Sequence, residues 1–381
     1  MVNGVLPYQE IKDMVATGWI SHREATTSFL ETAMDDQIGP ASFEPSLGER
    51  IFAMPSSILP CEEKGLSERL KNENLYTFEL RRDENRFLYQ GSIYVIPLNE
   101  NLALPDGFIG ESTGRSSVGR TNTVLRLLTD TYRRYNFIPS GYQGRIFLEI
   151  FPGSFPIILR SGLSLNQIKF AYSGSFEDTK IDEASLMLLH SKEPILYDEK
   201  GEPLKLNGRI EKDSVIMSLK LKGDSPLVYR ARRNVLQGID FSRDFRDKKN
   251  RYSIDEFWEE IDARDGRIIL NPGEFYLMLA KERIAVPPGY VTKMVQHDDN
   301  LGDLKTQEAD LFNPGHGLNT RGFSPVLEIK PYGQPIELRD GFPICRIIFQ
   351  RLRSEPICKL YDDNDESYVG QSTVNPGKMF I

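Results

Sequence analysis

A short cluster of arginine and serine residues is the first stretch of this sequence that could bind an anion. The segment Gly114-Arg115-Ser116-Ser117-Val118-Gly119-Arg120, here called the arginine–serine cluster, holds two guanidinium groups beside two hydroxyls. Arginine can donate two parallel hydrogen bonds to a phosphate, and serine hydroxyls and the amides of a following short helix supply further donors. The P-loop spacing G-x-x-x-x-G-K-[ST] is absent. The cluster therefore indicates a phosphate site, with a solvated basic turn as the alternative.

A single carboxylate interrupts an apolar stretch farther along the chain. In Arg145-Ile-Phe-Leu-Glu-Ile-Phe151, the alternation predicts a strand on which Phe147, Glu149 and Phe151 share one face. A carboxylate between two aromatic side chains is shielded from water. Such a group is a candidate for general acid–base catalysis, in which one side chain takes and returns a proton. An ordinary salt bridge, for example to Arg145, is the alternative.

The order of three motifs makes the interpretation more specific. Arg-Ser-Ser-x-x-Arg at 115–120, Gly-Tyr-x-Gly at 141–144 and an apolar strand with Glu149 resemble the dCTP deaminase branch of the trimeric dUTPase-like superfamily. The resemblance implies that Glu149 activates water for attack on C4 of cytosine, while Ser116 and Arg120 hold the water and the carboxylate in place. It implies that the triphosphate is bound by Arg115, Ser116, Ser117 and Arg120.

The resemblance extends to the hairpin and to the C-terminal tail. It implies substrate contacts from Tyr142 and from Tyr368 and Gln371, whose segment would close over the nucleotide as a lid. One position departs from the family pattern, because Pro139 stands where related enzymes carry an Asp. Proline has no carboxylate to bind the sugar 3′-hydroxyl or to orient a water. This disfavours a dUTP or other nucleotide pyrophosphatase, and a nucleotide-binding protein without turnover is the alternative from a different class.

Length, composition and charge limit the kinds of protein this can be. The sequence has 381 residues, 39% of them hydrophobic and 27% charged, and no apolar run has the length of a membrane span. We expect a soluble protein of two domains. We also expect a cytoplasmic protein, because the first residues lack the charged and apolar regions of a signal peptide. The net charge of −8 argues against a general nucleic-acid binder.

Cysteine and histidine residues do not have the spacing of the common zinc sites. The three cysteines, Cys61, Cys345 and Cys358, form no C-x-x-C pair, and the four histidines show no H-E-x-x-H spacing. The spacing H-x-E occurs once, at His22-Arg-Glu24, and no P-C-x-x-C follows it. Zinc-dependent nucleobase deaminases carry an H-x-E…P-C-x-x-C signature. We therefore expect no zinc and no other metal held by protein side chains. The cofactor that we expect is Mg²⁺ bound through the triphosphate.

Short apolar runs separated by turns predict a mainly all-β fold with a few short helices, and an internal repeat predicts two copies of it. Residues 92–108 match 274–290, residues 148–150 match 327–329, and residues 155–162 match 334–341. We predict a first dUTPase-like β-unit at 1–173, a connecting region at 174–233 and a second, diverged unit at 234–381.

The two copies differ at the predicted phosphate site. Opposite the arginine–serine cluster the second copy has Gln296-His-Asp-Asp-Asn-Leu-Gly302, which places carboxylates where a triphosphate needs cations. Glu328 matches Glu149, and an ion pair is its favoured interpretation. Sites of the superfamily lie between neighbouring subunits, so the resemblance predicts one active site per chain in a homotrimer, closed by the second copy's tail.

Overall fold

The computed structural model describes residues 2–22, 34–60, 64–223, 227–298, 304–305, 309–357, 360–364 and 368–381. Cys61, Cys358 and residues 299–302 lie outside these ranges. Strands predominate over helices within them, which confirms the predicted all-β fold class. None of the described helices combines the length and the apolar character that crossing a bilayer requires.

Most of the strands are short, and they are numbered here in chain order. Up to residue 172 they are β1 Gly4–Val5, β2 Ile20–His22, β3 Arg50–Met54, β4 Tyr76–Glu79, β5 Arg86–Leu88, β6 Ile93–Ala103, β7 Phe108–Gly114, β8 Thr123–Thr129, β9 Phe137–Ile138, β10 Gln143–Pro152, β11 Ile157–Leu159 and β12 Asn166–Tyr172. After it they are β13 Leu196–Tyr197, β14 Ile210–Glu211, β15 Ser214–Lys220, β16 Tyr229–Ala231, β17 Ile239–Asp240, β18 Trp258–Glu260, β19 Arg267–Leu270, β20 Tyr276–Ala280, β21 Arg283–Ile284, β22 Tyr290–Gln296, β23 Leu304–Lys305, β24 Leu311–Phe312, β25 Val326–Pro331, β26 Ile336–Arg339 and β27 Pro343–Arg351.

The helices are also short. They are α1 Tyr8–Ala16, α2 Leu66–Glu73, α3 Ser116–Gly119, α4 Glu183–Lys192, α5 Ile254–Phe257 and α6 Tyr361–Asn364. In the sequence, Ile11, Met14 and Val15 have the spacing of one face of an amphipathic helix, and helix α1 buries all three. It ends just before Gly18, whose φ of +78° favours glycine over other residues.

The chain divides into two compact units. The first comprises Met1–Thr179 with Val235–Asp244 and Arg353–Cys358, and the second comprises Lys180–Asn234 with Phe245–Leu352 and Lys359–Ile381. Strands β13 to β16, which lie in the predicted connecting region 174–233, therefore belong to the second unit.

Sheets of the first unit place β10 between two neighbours. One sheet has the order β4-β3-β6-β10-β8 with β2 also paired to β6, a second has the order β1-β12-β7-β9, and a third has the order β17-β11-β5. The main core gathers Ile146 and Leu148 from β10 and Phe170 from β12. On the other face of β10, Phe147 packs with Leu70 of α2 in a second apolar cluster. Strand β10 is thus buried on both faces.

In the second unit one large sheet has the order β18-β16-β20-β15-β27-β22-β24. Strand β25 pairs with β20 and with β23, β14 pairs with β15, and the pairs β19-β26 and β13-β21 lie outside this sheet. Residues from β15, β20, β25 and β27 form its core.

The two units repeat each other in the same strand register. Equivalent pairs, first in the first unit and then in the second, are Phe108↔Tyr172 and Tyr290↔Arg351, Val95↔Glu149 and Leu277↔Glu328, and Leu88↔Ile157 and Leu270↔Ile336. The sequence repeat is therefore also a structural repeat, and Glu328 occupies the position of Glu149.

Each unit also buries one carboxylate in the same way. Ser46 donates its amide and its hydroxyl to Glu100 at 2.9 and 2.8 Å, and Ser218 donates the same two groups to Glu282 at 2.7 and 2.6 Å. A third donor comes from Gln37 in the first unit and from Arg209 in the second. Burial raises the pKa of Glu100. Because Ser218 lies on β15, this shared contact assigns β15 to the second copy.

Candidate active site

Glu149 lies near the middle of β10, which β6 and β8 flank. Its cross-strand neighbours are Val95 on β6 and Arg126 on β8. The residue is 2% exposed. It shares its face of the strand with Phe147, as the alternation predicts, because successive side chains of a strand point to opposite faces. The sheet therefore holds one carboxylate within an apolar surface.

Three donors converge on this carboxylate. Oγ of Ser57 lies 3.0 Å from Oε1, Nη1 of Arg126 lies 3.1 Å from Oε1, and the amide of Ile58 lies 3.2 Å from Oε2. Nη1 of Arg126 also donates to Oγ of Ser57 at 3.0 Å, so arginine, serine and glutamate form a closed triangle. Arg145, the ion-pair partner that the sequence suggests, lies four residues away along the strand, which is about 13 Å. The ion pair is made with Arg126.

The groups around Glu149 reach the surface although the carboxylate does not. The Arg126 side chain is 38% exposed, and its guanidinium lies 4.8 Å from the centre of the Tyr135 ring. Ser57 is exposed, whereas Ile58 next to it is buried in the apolar cluster around Phe147. The carboxylate therefore lies one layer of side chains below the surface.

The arginine–serine cluster connects β7 to β8 through α3. Arg115 is extended, and its carbonyl oxygen accepts the amides of Val118 and Gly119 at 2.8 and 3.0 Å. Its Nη1 lies 3.0 Å from Oε2 of Glu44 and donates to the carbonyl oxygen of Ser164 at 3.3 Å. The sequence predicts that amides of this helix donate to phosphate, but two of them are used within the helix itself.

The remaining residues of the cluster are less accessible than Arg115. Ser117 and Arg120 are 9% and 6% exposed, and Ser116 is half-buried. Thr123 at the start of β8 pairs with Pro152, three residues along β10 from Glu149. At about 3.3 Å per residue, these two positions are about 10 Å apart along the sheet. The four predicted phosphate ligands thus lie on one short segment because they are neighbours in sequence, and the donors that bind the Glu149 carboxylate come from other segments.

Tyr142 lies in the turn between β9 and β10, which do not pair with each other, because β9 pairs with β7 and β10 pairs with β6 and β8. Its hydroxyl donates to the carbonyl oxygen of Arg145 and accepts the amide of Asp130 at 3.0 Å. The residue is 7% exposed, and burial raises its pKa to about 12. These contacts give Tyr142 a structural role, and its contact with substrate stays a prediction.

Pro139 begins the turn before Tyr142. Its carbonyl oxygen accepts the amide of Tyr142 at 3.2 Å. A carboxylate from a neighbouring loop lies against the same turn, because Oδ1 of Asp106 is 2.7 Å from the point that a Cβ on Gly141 would occupy. Gly141 has a φ of +71°, so the turn and this close approach both favour glycine. The turn therefore lacks an acidic residue at 139 but has one beside it.

The tail residues Tyr368 and Gln371 belong to the second unit. Tyr368 is 8% exposed, and its hydroxyl accepts the amide of Lys378 at 3.3 Å. The Gln371 side-chain amide donates to the carbonyl oxygen of Ser324 at 2.9 Å, and the Gln371 carbonyl accepts the Ser324 amide at 2.8 Å. The tail is thus bonded to the second unit, and its role as a lid stays a prediction.

The second copy keeps a buried carboxylate at the position of Glu149. Glu328 is 2% exposed, and its Oε2 accepts the amide of Ala309 at 3.1 Å. Of the acidic segment that replaces the arginine–serine cluster, residues 299–302 lie outside the described ranges.

A cavity of about 660 Å³ opens on the sheet face that carries Phe147. Its charged lining is Arg50, Lys71, Arg81, Arg82 and Arg145 with Glu49, Glu79 and Asp83. Phe52 and Phe147 contribute apolar surface. Along β10, Phe147 stands between Arg145 at the cavity and Glu149. The open and mainly cationic part of this face therefore ends next to the buried carboxylate.

No group of three or more His, Cys, Asp or Glu side chains that could hold a metal ion occurs in the part of the chain that the structure describes. Cys345 is fully buried, and burial raises the pKa of its thiol. This thiol is therefore a core group and an unreactive one at neutral pH.

Sequence reasoning did not find three of the residues described above: Ser57, Arg126 and Glu44 as the partner of Arg115. Arg126 carries a signal of the same kind as Glu149, because it is a single charge in the apolar run Thr123-Val-Leu-Arg-Leu-Leu128. That run fits a strand as well as a helix by length alone. Ser57 carries no comparable signal.

Two family models match the chain in sequence order. The N-terminal domain of 2′-deoxycytidine 5′-triphosphate deaminase (DCD) matches residues 2–174, and the C-terminal domain of the same enzyme matches residues 182–380. Together they span most of the chain, and the two-domain form agrees with the repeat.

Individual relatives align with part of the chain. The dCTP deaminase of Halorubrum lacusprofundi is 27% identical over 140 residues, which are 36% of this chain and 64% of that protein, less than two thirds of its length. The "dCTP deaminase, dUMP-forming" of Methanopyrus kandleri is 29% identical over 150 residues, which are 38% of this chain and 69% of that protein.

A solved structure matches nearly the whole chain. The crystal structure of 2′-deoxycytidine 5′-triphosphate deaminase from Agrobacterium tumefaciens superimposes with a TM-score of 0.80 at 28% identity and covers 93% of this chain and 97% of that chain. The two family models and the structural match therefore indicate the same family. The chain belongs to the dCTP deaminase family, in the form that has an N-terminal and a C-terminal domain.

Proposed function

We propose that this chain hydrolyses dCTP to dUTP and ammonia, with Glu149 as general base and acid. The oxygen of water bonds to C4 of cytosine, and the bond between C4 and the amino nitrogen breaks. Glu149 takes a proton from the water and gives it to ring nitrogen N3, and it then transfers the proton of the C4 hydroxyl to the leaving amino group, which departs as ammonia. The observation that carries the proposal is the buried Glu149 carboxylate on β10, a strand paired on both sides, in a chain of this family.

The hydrogen bonds of Glu149 leave room for such a water. An ionised carboxylate has about four acceptor positions. Among the described residues, Oε1 accepts from Ser57 and Arg126, and Oε2 accepts from the amide of Ile58. A lone pair on Oε2 therefore remains for the reacting water. The protein supplies the proton acceptor itself, so the proposed reaction uses no zinc.

In this proposal the arginine–serine cluster binds the phosphates of the nucleotide. Two guanidinium groups and two hydroxyls can bind the oxygens of a triphosphate that carries Mg²⁺, and the ion's charge lowers the repulsion within the polyphosphate. We propose a homotrimer in which the cluster of one subunit and Glu149 of its neighbour form one site. Tyr142, Tyr368 and Gln371 would complete it around the base, the sugar and the phosphates.

Formation of dUMP is the second candidate for the overall reaction. It needs a further water directed at the phosphates, which is the step that Pro139 disfavours. The observation in its favour is the Asp106 carboxylate against the same turn, since it is an acidic group that could orient a water there. A nucleotide-binding protein without turnover is the remaining alternative.

One experiment separates these functions. Purified protein is incubated with dCTP and Mg²⁺, and ammonia, dUTP, dUMP and pyrophosphate are measured for the wild type and for Glu149→Gln. We expect equal amounts of ammonia and dUTP from the wild type, and no turnover but unchanged dCTP binding from the variant. Pyrophosphate with dUMP would favour the second candidate, and ammonia release from Glu149→Gln near the wild-type rate would overturn the role of Glu149.

A further inference from the structure

Arg126, Ser57 and Glu149 form the closed triangle described above, and this triangle points to residues that serve the reaction through Glu149. We propose that Arg126 and Ser57 are positioning residues: Arg126 fixes the direction of the Glu149 carboxylate, and Ser57 covers it until substrate arrives. The inference rests on the proposed function, because it concerns the group that activates water in that reaction.

The backbone at Glu149 is fixed independently of these contacts. Strand β10 is paired along its length with β6 on one side and with β8 on the other. The strand pairing does not fix the side-chain torsion angles of Glu149. The donors on Oε1 and Oε2 determine these angles, and Arg126 is the charged one among them. Loss of Arg126 should therefore change where the carboxylate points and leave the strand in place.

Arg126 is itself held on two sides. Its Nη1 binds Oε1 of Glu149 at 3.1 Å, and its guanidinium lies 4.8 Å from the centre of the Tyr135 ring. A guanidinium at this distance from an aromatic ring gains cation–π stabilisation. The planar group thus has a defined position from which it donates to Glu149 and Ser57 together, a fork geometry that lysine does not have.

Ser57 differs from Arg126 in its surroundings. It belongs to a short exposed segment, Pro55-Ser-Ser57, that precedes the buried Ile58. An exposed residue whose hydroxyl bonds to a buried carboxylate is part of the layer between that carboxylate and solvent. A nucleotide or water that reaches Glu149 from this side has to move Ser57, whereas Ile58 anchors the segment in the apolar cluster.

The test compares Arg126→Ala, Arg126→Lys and Ser57→Ala with the control Arg339→Ala. Arg339 also pairs with a glutamate, Glu337, at 2.8 Å, but the two side chains are 70% and 36% exposed. For each variant, kcat and KM for ammonia release from dCTP and the melting temperature are measured. Guanidinium chloride at low concentration is added to Arg126→Ala to replace the missing group.

For Arg126→Ala we expect a fall in kcat of about 10- to 100-fold, the range for one lost charge-assisted hydrogen bond. We expect KM and the melting temperature to change little, and added guanidinium to restore part of kcat. Arg126→Lys should fall between this variant and the wild type. Ser57→Ala should change kcat less than Arg126→Ala, and Arg339→Ala should match the wild type.

Two outcomes overturn the inference. The first is an unchanged kcat in Arg126→Ala. The second is a fall in kcat that accompanies an equal loss of melting temperature and that neither lysine nor guanidinium restores, which is the result of a purely structural role. Failure of the proposed function gives a different result, because Glu149→Gln would then release ammonia. If Glu149→Gln is inactive while Arg126→Ala is normal, the inference alone fails.

Discussion

Replacement of Glu44 by glutamine tests the role of Arg115 through a contact that the sequence does not reveal. Oε2 of Glu44 lies 3.0 Å from Nη1 of Arg115, and the two side chains are 22% and 32% exposed. A phosphate that binds Arg115 has to share this guanidinium with the carboxylate. Glutamine keeps the size and an acceptor oxygen but removes the charge. We therefore expect Glu44→Gln to bind dCTP more tightly than the wild type.

The magnitude follows from the exposure of this pair. Two unit charges about 4 Å apart attract by about 4 kcal/mol at an effective dielectric constant of about 20. Solvent screening and side-chain freedom reduce measured values for exposed pairs to about 0.2–1 kcal/mol. Glu44 and Arg115 are each less than one third exposed, so we use the upper end. A gain of about 1 kcal/mol is about fivefold in Kd.

Calorimetric titration with dCTP and Mg²⁺ measures this difference, and Glu149→Gln as the parent protein prevents consumption of the nucleotide. Glu10→Gln is the matched control, because Glu10 pairs with Arg353 in the same unit at 2.7 Å and these side chains are 18% and 25% exposed. We expect the gain to shrink at high salt. An equal or weaker affinity of Glu44→Gln, relative to this control, would refute phosphate binding by Arg115.

Three further predictions concern metal, pH and thiol reactivity. Activity should survive a chelator that removes zinc and spares Mg²⁺, and should be lost in excess EDTA; stoichiometric protein-bound zinc by elemental analysis would contradict this. Burial raises the pKa of Glu100, so its contribution to stability is fully present below the unfolded pKa and is lost as pH rises through the folded pKa. Thermal melts should therefore show the wild type gaining stability relative to Glu100→Gln as pH falls from about 8 to about 5, and a constant difference would rule this out. Cys345 is fully buried with a raised thiol pKa, so peptide mapping after iodoacetamide treatment should find it alkylated only when the protein is unfolded.

The sequence predicts features that depend on neighbours along the chain. Alternation around Glu149 predicts a strand with the correct face, and the structure has β10 there. The apolar spacing near the N-terminus predicts α1, which is present. The hydrogen-bond partners of Glu149 cannot be predicted in this way, because they are distant in sequence. Ser57 is 92 positions away in sequence, and only the packing of its segment against β10 brings it to the carboxylate.

The start of the second copy is also difficult to predict from the sequence. Residues 92–108 repeat clearly at 274–290. In contrast, Ser46 and Ser218, which bind equivalent carboxylates, share little more than a following leucine. A match this short cannot be recognised in a sequence, because many unrelated pairs of residues share it. The equivalence of Ser46 and Ser218 is visible in the strand pairing and the buried hydrogen bonds, since these depend only on backbone position and on one hydroxyl.

The first unit is assembled from separate stretches of chain, and this affects whether either half can exist alone. Strand β17, from Val235–Asp244, pairs in parallel with β11, and Arg353, from Arg353–Cys358, binds Glu10 at 2.7 Å. A fragment that ends at residue 179 would lack both segments and would expose an unpaired edge of β11, which favours aggregation. We therefore expect that dividing the chain near its midpoint would damage the half that carries Glu149. The sequence after residue 179 lacks an arginine–serine cluster, but it supplies β17 and Arg353 to the first unit.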